Sequence, residues 1–322
     1  MIDYSIFFKQ KLAVDENWGK DEHWDLFISA FVPNDRVRSV FSKAAATKKV
    51  WLIFPEYSFS RDQLPKEEFF SAVAEDESEF IGSFWDTLPS NASQLRICID
   101  ITGFIRPYLI YLLWFLVEKG VTQFEALYSE PDRYRDSEQT TFSSDIIREI
   151  RQVSGCEGNH TTDDSNDLLI IGAGYEDHLI SHVAESKAKA NKVQLLGFPS
   201  LRADMYQESV LRIHKAEESM GGKETGEAKS YFAPANDPFI TANVLADVVR
   251  EQERRRPISN LYLSPLSTHA HVLGFALYFL TEKLGSSCSL IFPFEEKYHY
   301  TTSVGISRIW KYVVELPLRK NP

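Results

Sequence analysis

One stretch of the chain, DITGFIR (100–106), brings four chemically useful groups close together. Asp100 carries a carboxylate, Thr102 carries a hydroxyl, Gly103 exposes its backbone, and Arg106 carries a guanidinium at the start of a predicted helix. Hydroxyls, arginines and free backbone amides at helix starts bind phosphate groups. The stretch therefore predicts a site for a phosphate-containing ligand of the nucleotide type, with helix capping by Asp100 and Thr102 as the alternative.

A second stretch, SPLSTHAH (264–271), has a similar make-up. Ser264, Ser267 and Thr268 supply hydroxyls, and His269 supplies a charge that depends on pH. Both stretches follow predicted strands, and ligands of open α/β sheets bind outside the carboxyl ends of the strands. We therefore expect the two loops to converge on one ligand cleft, with helix capping by Ser267 or Thr268 as the alternative for the second loop.

Two glycines raise the question of a dinucleotide cofactor. Gly172 and Gly174 stand where the first two glycines of a dinucleotide fingerprint would stand. Asp177 occupies the position of the third glycine, and an acid there competes with a pyrophosphate for the helix start. The sequence predicts no cofactor, and the two glycines stay candidates for ligand contact in a strand–helix turn that needs small residues.

Catalytic and metal-binding signatures are sparse. His178 and His182 lie one helical turn apart, a spacing that suits a metal, but no third ligand accompanies them. We therefore predict no metal site. No carboxylate is evident in the sequence to orient His269 or His271 as a general base, so the sequence leaves open whether the protein is an enzyme.

The elements that position these loops come in two copies. DLFISAFVPNDRVRSVFSKAAATKKVWLIFPEYSF (25–59) aligns with DLLIIGAGYEDHLISHVAESKAKANKVQLLGFPSL (167–201), which starts 142 residues further on. Each copy reads as an apolar strand, a turn, a helix and a second apolar strand. Continuous apolar runs are typical of strands covered on both faces of a parallel sheet.

A second pair of segments repeats in the same order. ICIDITGFIRPYLIYLLWFLVEKG (97–120) aligns without gaps with LYLSPLSTHAHVLGFALYFLTEKL (261–284), which starts 164 residues further on. A single helix is predicted between the two blocks of each copy, over 65–88 in the first and from Pro238 in the second. The pattern predicts an α/β protein of two internally duplicated, Rossmann-like halves with mostly parallel sheets.

The boundary between the halves is predicted in the polar stretch 154–167. This places the first half over 1–155 and the second over 156–322. The extra chain of the second half is assigned to a flexible insertion near 203–236. Its centre, KAEESMGGKETGEAKS (215–230), has little apolar surface to bury, and we expect it to be mobile.

The composition of the chain makes some classes of binding partner less favourable than others. With 46 acidic against 35 basic residues the net charge is −11, which disfavours generic binding to nucleic acids or anionic membranes. The most apolar stretch, 108–117, is too short to span a bilayer. Three cysteines without a CxxC pair and no visible leader pattern favour a cytoplasmic location. The expected partner is a nucleotide-type small ligand or another protein, in a hetero- or homo-oligomer.

The segment IDITG (99–103), followed by a long apolar helix, resembles CRISPR-associated Rossmann-fold (CARF) sensor domains. In that family an Asp/Asn-x-Thr-Gly motif lines a pocket for cyclic oligonucleotides. The family usually continues Gly-Thr-Lys, whereas this chain has Phe104, Ile105 and Arg106. The resemblance implies a ligand sensor in antiviral defence, with paired domains that form one pocket.

A second segment, WDLFISAF (24–31), resembles the opening strand of Toll/interleukin receptor (TIR) domains. Such domains can hydrolyse NAD with a glutamate on a later helix, and Glu118 is the nearest analogue here. This resemblance implies an enzyme that acts on NAD or nucleotides.

Together these observations predict a nucleotide-sensing or adaptor protein of a bacterial antiviral defence system. Two alternatives stay open. One is a TIR-like or nucleoside-cleaving enzyme that uses the same loops, and the other is a structural subunit of a larger complex.

Overall fold

The computed structural model describes residues 2–14, 22–134, 147–174, 176–201, 229–295, 298 and 303–317. The chain divides into two compact units. The first unit contains Phe7–Ser144 and Glu296–Pro322, and the second contains Met1–Ile6 and Asp145–Glu295. The main part of each unit corresponds to one copy of the repeat, but the chain passes between the units three times.

The first unit contains nine strands and three α-helices in its described part. The strands are β1 (Lys9–Leu12), β2 (Trp24–Ala30), β3 (Ala46–Ile53), β4 (Phe69–Ser71), β5 (Ile97–Asp100), β6 (Gln123–Glu130), β7 (Arg133–Tyr134), β14 (Ser303–Val304) and β15 (Arg308–Glu315). The helices are α1 (Asp35–Lys43), α2 (Glu77–Trp85) and α3 (Arg106–Glu118).

The second unit contains six strands and three α-helices in its described part. The strands are β8 (Ile147–Gln152), β9 (Leu168–Ala173), β10 (Asn191–Gly197), β11 (Lys229–Ala233), β12 (Leu261–Pro265) and β13 (Cys288–Glu295). The helices are α4 (Asp177–Ser186), α5 (Pro238–Arg255) and α6 (His269–Tyr278), the last continued by a π-helical turn, Phe279–Lys283.

The two main sheets have the same central strand order. The sheet of the first unit runs β1-β15-β6-β5-β2-β3-β4, and that of the second runs β11-β10-β9-β12-β13-β8. In both, five strands pair in parallel: β4-β3-β2-β5-β6 matches β11-β10-β9-β12-β13. The predicted α/β class, with two duplicated Rossmann-like units and mostly parallel sheets, is confirmed.

Each sheet is extended by antiparallel strands from different parts of the chain. In the first unit β15 pairs with β6 over eight residues on each strand, and β1 pairs with β15. In the second unit β8 pairs with β13. The added strands therefore differ between the copies, although the parallel centre is shared.

The inner strands are buried because their apolar runs are covered on both faces. All six residues of β9 are buried, and in β2 Asp25 is the one exposed residue. Against β2 and β3 of the first unit, Phe41 of α1 stacks on Trp51 with ring centroids 3.7 Å apart. Burial on both faces explains why the strands lack polar alternation.

A glycine follows the third α-helix of each unit within two residues of its helical end. Gly120 follows α3 and Gly285 follows the π-helical turn, and both have a φ of +78°. This left-handed conformation is readily adopted by residues without a Cβ atom. The shared helix terminus further supports the duplication.

Three sequence predictions need correction. The helix predicted over 65–88 is limited to α2, because Phe69–Ser71 pairs in parallel with β3 as an edge strand. In the predicted insertion near 203–236, residues 202–228 lie outside the described part, but Lys229–Ala233 forms β11 beside β10. The predicted domain bounds, 1–155 and 156–322, also differ from the units, because β15 completes the first sheet.

Among the residues that the structure describes, no helix combines the length and apolar character needed to cross a membrane.

Candidate functional site

The site in the first unit lies at the carboxyl edge of its sheet, meaning the edge formed by the carboxyl ends of the parallel strands. Strand order reverses between β2 and β5, since later strands are added on opposite sides of this pair. Ligands of open α/β sheets bind in the crevice at such a switch point. The predicted residues 100–106 follow β5 directly and therefore lie at this point.

Asp100 is the innermost predicted residue and is fully buried. Its carboxylate accepts a hydrogen bond from the backbone amide of Thr102 at 3.1 Å and one from the Ser29 hydroxyl at 3.1 Å. Burial raises the pKa of the Asp100 carboxyl, while these hydrogen bonds and the nearby positive charge of Arg36 oppose the rise. Asp100 thus begins the short 3-10 helix Ile101–Gly103, which agrees with its capping role.

Thr102 connects this turn to the end of β6. Its hydroxyl accepts from the backbone amide of Ser129 at 3.0 Å and lies 3.1 Å from the Ser129 hydroxyl. The carbonyl of Ser129 in turn accepts from Nη1 of Arg36 at 2.7 Å. Asp100, Thr102, Ser29, Ser129 and Arg36 thus form one buried group, which we call the edge network.

Arg36 is the most unusual member of the edge network. It is the second residue of α1 and is only 8% exposed. Its Nε–H has no hydrogen-bond partner in the described chain, and its positive charge helps to hold down the pKa of the neighbouring Asp100 carboxyl. An unsatisfied donor on a buried cation is costly, because burial removes its hydration.

Arg106 supplies a second cation at the same edge. It opens α3, whose N-cap residue, Ile105, offers no side-chain hydrogen bond and whose first turn contains no acid. The start of α1 is different, because Asn34 caps it by accepting from the amide of Val37 at 2.9 Å. The positive end of α3 is therefore better suited to an anion than that of α1.

Glu56 is a residue at this edge that the sequence interpretation missed. It lies in the turn Pro55–Tyr57 after β3, where the Tyr108 hydroxyl donates to its Oε1 at 2.7 Å. Its Oε2 is covered and has no partner in the described chain. Burial raises the pKa of the Glu56 carboxyl, the Tyr108 hydrogen bond opposes the rise, and nearby Glu77 adds to it.

A sequence signal for Glu56 existed in the alignment of the two copies. A dinucleotide site uses an acid after the second strand. The second copy has Phe198-Pro199-Ser200 there, but the first has Phe54-Pro55-Glu56. The sequence signal for Arg36 was weaker, because an arginine in the first turn of a helix is usually an exposed surface charge.

The corresponding edge of the second unit uses its polar groups for internal packing. The Thr268 hydroxyl accepts from the amide of His271 at 3.3 Å and donates to the carbonyl of Ala235 at 2.6 Å. Nε2 of His271 lies 3.0 Å from the carbonyl of Pro234, to which it donates. Thr268 therefore caps α6 and, with His271, holds the loop that follows β11.

The remaining predicted residues of this loop are at least partly buried. Ser264 is fully buried and its hydroxyl has no partner in the described chain. Ser267 is buried, and His269 is half-buried at the first position of α6. Burial lowers the pKa of neighbouring His271 to about 4, and its Nδ1 has no described partner.

The three predicted glycines serve close backbone approaches. A Cβ on Gly103 would lie 2.6 Å from both the carbonyl oxygen of Ala30 and a methyl of Val32. A Cβ on Gly174 would overlap the carbonyl oxygen of Leu266, and one on Gly172 would lie 3.0 Å from the Phe275 ring. The preference for small residues in these turns thus has a packing cause.

The predicted convergence of residues 100–106 and 264–271 on one cleft stays a prediction. The first loop belongs to the first unit and the second loop to the second unit.

The opposite edge of the first sheet has its own charged group. Glu125 is held by Arg96 at 2.8 Å and by the indole of Trp24, and Glu22 pairs with Lys311 and Arg96. A shallow cleft of about 520 Å³ lies beside it. Because these charges neutralise one another, we assign the group a structural role. In the described chain, no group of three or more side chains could hold a metal ion.

Comparisons with known proteins yield little. No family model matches the chain, and no curated protein matches it. Among solved structures, it is similar to a CobK precorrin-6A reductase at 9% identity, over 84% of this chain and 89% of that one, with a TM-score of 0.23. The assignment as an α/β protein with two Rossmann-like units therefore rests on the strand order.

Proposed function

We propose that the protein is a nucleotide sensor that binds the phosphate of its ligand at the carboxyl edge of the first unit. Arg36 carries the proposal, because the Nε–H of its buried guanidinium has no hydrogen-bond partner in the described chain. A phosphate would accept a charge-assisted hydrogen bond from Nε. Arg106 and the positive end of α3 would add to the attraction.

The proposal changes the roles of the predicted residues. Asp100 and Thr102 are engaged in hydrogen bonds inside the edge network. They would therefore hold Arg36 and the DITG turn in place, and the two arginines would contact the ligand. Loop 264–271 would not be needed for phosphate binding, since Thr268 and His271 hold the loop after β11.

Ligand binding to the whole chain tests the proposal. Thermal unfolding would be followed with AMP, ATP, NAD, cyclic di-AMP, a cyclic tetra-adenylate and inorganic phosphate. A ligand at one hundred times its Kd stabilises a protein by about 2.7 kcal/mol, so at least one nucleotide should raise Tm by roughly 5 °C. Arg36→Gln should abolish the rise.

Arg38→Gln is the matched control, because Arg38 is an exposed arginine of the same helix. It should keep the full rise in Tm. No shift with any probe would favour the structural-subunit alternative. Turnover of NAD or ATP in the same samples would favour the enzyme.

We further propose, on the likeness of residues 99–103 to CARF domains, that the sensor acts in antiviral defence. Cells that carry the gene with its neighbours should resist bacteriophage infection, and Arg36→Gln should remove the resistance at equal protein level. Equal plaque counts with and without the wild-type gene across a phage panel would refute this role.

A further inference from the structure

The inference concerns a short segment, residues 2–6, and does not depend on the proposed nucleotide site. These residues belong to the second unit, although β1, which begins three residues later, belongs to the sheet of the first unit. Their 3-10 helix, Tyr4–Ile6, packs against α5. Tyr4 is fully buried, whereas Ile6 is 75% exposed. Tyr4 is therefore the anchor of these residues, which we call the Tyr4 segment.

Tyr4 is anchored through both its backbone and its side chain. Its backbone amide donates to Oδ1 of Asn243 on α5 at 3.2 Å. Its hydroxyl forms a hydrogen bond with the hydroxyl of Thr281 and donates to Oε1 of Glu282 at 3.3 Å. Burial raises the pKa of Tyr4, the Thr281 hydrogen bond opposes the rise, and Glu282 adds to it. The anchor thus contacts two residues of the π-helical turn that continues α6.

The π-helical turn distinguishes the second unit from the first. Phe279–Lys283 aligns without gaps with the end of α3, which stays α-helical up to its last residue. Thr281 stands where the first unit has Val117. The Thr281 hydroxyl donates to the carbonyl of Leu277, one turn earlier, at 2.6 Å. Such bonds compete with the backbone hydrogen bonds of a helix and often bend it. The π-helical turn therefore occurs where a hydroxyl of the helix meets the hydroxyl of Tyr4.

We propose that the Tyr4 segment is a removable latch that controls the form of the end of α6. With Tyr4 docked, its hydroxyl holds Thr281 and the turn is π-helical. With Tyr4 released, the turn takes the α-helical form of the aligned part of α3, and its backbone hydrogen bonds change from an i→i+5 to an i→i+4 pattern. Elements of this kind are used as switches when their two forms differ little in free energy.

The connection to β1 allows the segment to detach locally. Residues 5–7 separate Tyr4 from Phe8, whose carbonyl accepts from the amide of Val313 on β15 at 2.9 Å. Ile6 and Phe8 are both more than half exposed, so neither side chain ties the connection to a core. Exposed segments with few buried contacts open at a low free energy. Tyr4 can therefore leave α6 while β1 stays paired with β15.

Hydrogen exchange on the full chain tests the latch. Tyr4→Ala should release the segment, so the amides of residues 279–285 should exchange at least about 10-fold faster, because the turn loses its buried cover. The amides of β9, in the core of the same unit, should keep their wild-type rates. Ile6→Ala is the matched control, since Ile6 is an exposed residue of the same segment, and it should leave all these rates unchanged.

Thr281→Val tests the hydroxyl pair by introducing the residue of the first unit. It removes the group that joins Tyr4 to the turn, so the amides of residues 2–8 should lose protection. A crystal structure of this variant should show an α-helix through Glu282, as in the aligned part of α3. Thr281→Ser keeps a hydroxyl and should retain both the wild-type protection and the π-helical turn.

Three outcomes would overturn the inference. Wild-type exchange of residues 279–285 in Tyr4→Ala would show that Tyr4 does not hold the turn. Faster exchange throughout the second unit, β9 included, would show that Tyr4 is a fixed part of the core and not a latch. A π-helical turn that persists in Thr281→Val would show that its form does not depend on the hydroxyl pair.

Discussion

The two units share a strand order but differ at the residues that lie at the switch point. In the first unit, the edge network consists of five polar side chains: Ser29, Arg36, Asp100, Thr102 and Ser129. At the same offsets of 142 and 164 residues, the second unit has Ile171, His178, Ser264, Leu266 and Pro293. Three of these five residues are apolar, namely Ile171, Leu266 and Pro293. The Ser264 hydroxyl has no hydrogen-bond partner in the described chain.

This difference shows that the duplication preserved the framework of each sheet but not its polar edge. Buried polar side chains that are not needed for folding tend to be replaced by apolar ones, because each must find a partner. The first unit keeps all five, and the Nε–H of Arg36 among them has no hydrogen-bond partner in the described chain, so we propose the ligand site in that unit. The second unit fills the same region with the loop after β11.

The units also differ in which of two contacting loops carries the glycine at one close contact. In the first unit Gly103 packs against Val32, and in the second Gly174 packs against Ser267. Val32 aligns with Gly174, and Gly103 aligns with Ser267. One small residue at this contact is therefore enough, and either loop can supply it.

The largest expected effect breaks this contact. Gly103→Ser should destabilise the first unit by about 3 kcal/mol, because the new Cβ would meet the Ala30 carbonyl and the Val32 methyl. Adding Val32→Gly should recover part of the loss. Denaturant unfolding followed by tryptophan fluorescence measures the first unit selectively, since all six tryptophans of the chain belong to it.

Gly82→Ser is the control, because nothing lies within 4 Å of a Cβ at that helix position. Its effect should be small. A double variant no more stable than Gly103→Ser alone would show that the two contacts are not equivalent.

A smaller change in stability is expected at the aligned residues Asp100 and Ser264, where loss of the polar group should destabilise the first unit but not the second. Asp100→Ser should cost the first unit about 2 kcal/mol, because the Ser29 hydroxyl and the Thr102 amide lose their acceptor. Ser264→Ala should cost the second unit nothing and should stabilise it by up to about 1 kcal/mol, since it removes a buried hydroxyl without a described partner. Fluorescence reports the first change, and hydrogen exchange of β12 reports the second. Destabilisation by Ser264→Ala would mean that its hydroxyl has a partner.

The smallest effect concerns pH in the second unit. The pKa of His271 is lowered from 6.5 to about 4 by burial, so the unfolded chain binds a proton at a higher pH than the folded chain. The second unit should therefore lose about 1 kcal/mol between pH 7.5 and pH 5.5, with further loss down to about pH 4. Hydrogen exchange of peptides from α6 should show this slope for wild type, and it should be shallower in His271→Gln. An equal slope in both proteins would assign the pH dependence to other groups.

The sequence predicted the parts of the fold that depend on long apolar runs. β2, β3, β9 and β10 are continuous and buried, so their type and order followed from pattern and repetition. β4 contains three residues and β11 begins in a polar stretch, so neither carries a recognisable period. Both are edge strands, whose pairing is decided by the neighbouring strand rather than by their own sequence.

The sequence predicted where the candidate site lies better than it predicted the role of each side chain. Residues 100–106 do lie at the switch point, because strands of a repeated β-α-β pattern end at one edge. The sequence does not record that Asp100 and Thr102 bond to Ser29 and Ser129, which are distant in the chain. Nor does it record that Arg36 is buried. Burial of a charged helix residue depends on tertiary packing, which no local pattern encodes.

The position of β15 has a consequence for the order in which the protein can fold during synthesis. β15 lies inside the first sheet, between β1 and β6, yet the ribosome makes it after every strand of the second unit. A nascent chain can therefore complete the sheet of the second unit while β6 still lacks its antiparallel neighbour. Until the last strand emerges, that open sheet edge is available for wrong pairing, so the first unit should depend more on chaperones than the second.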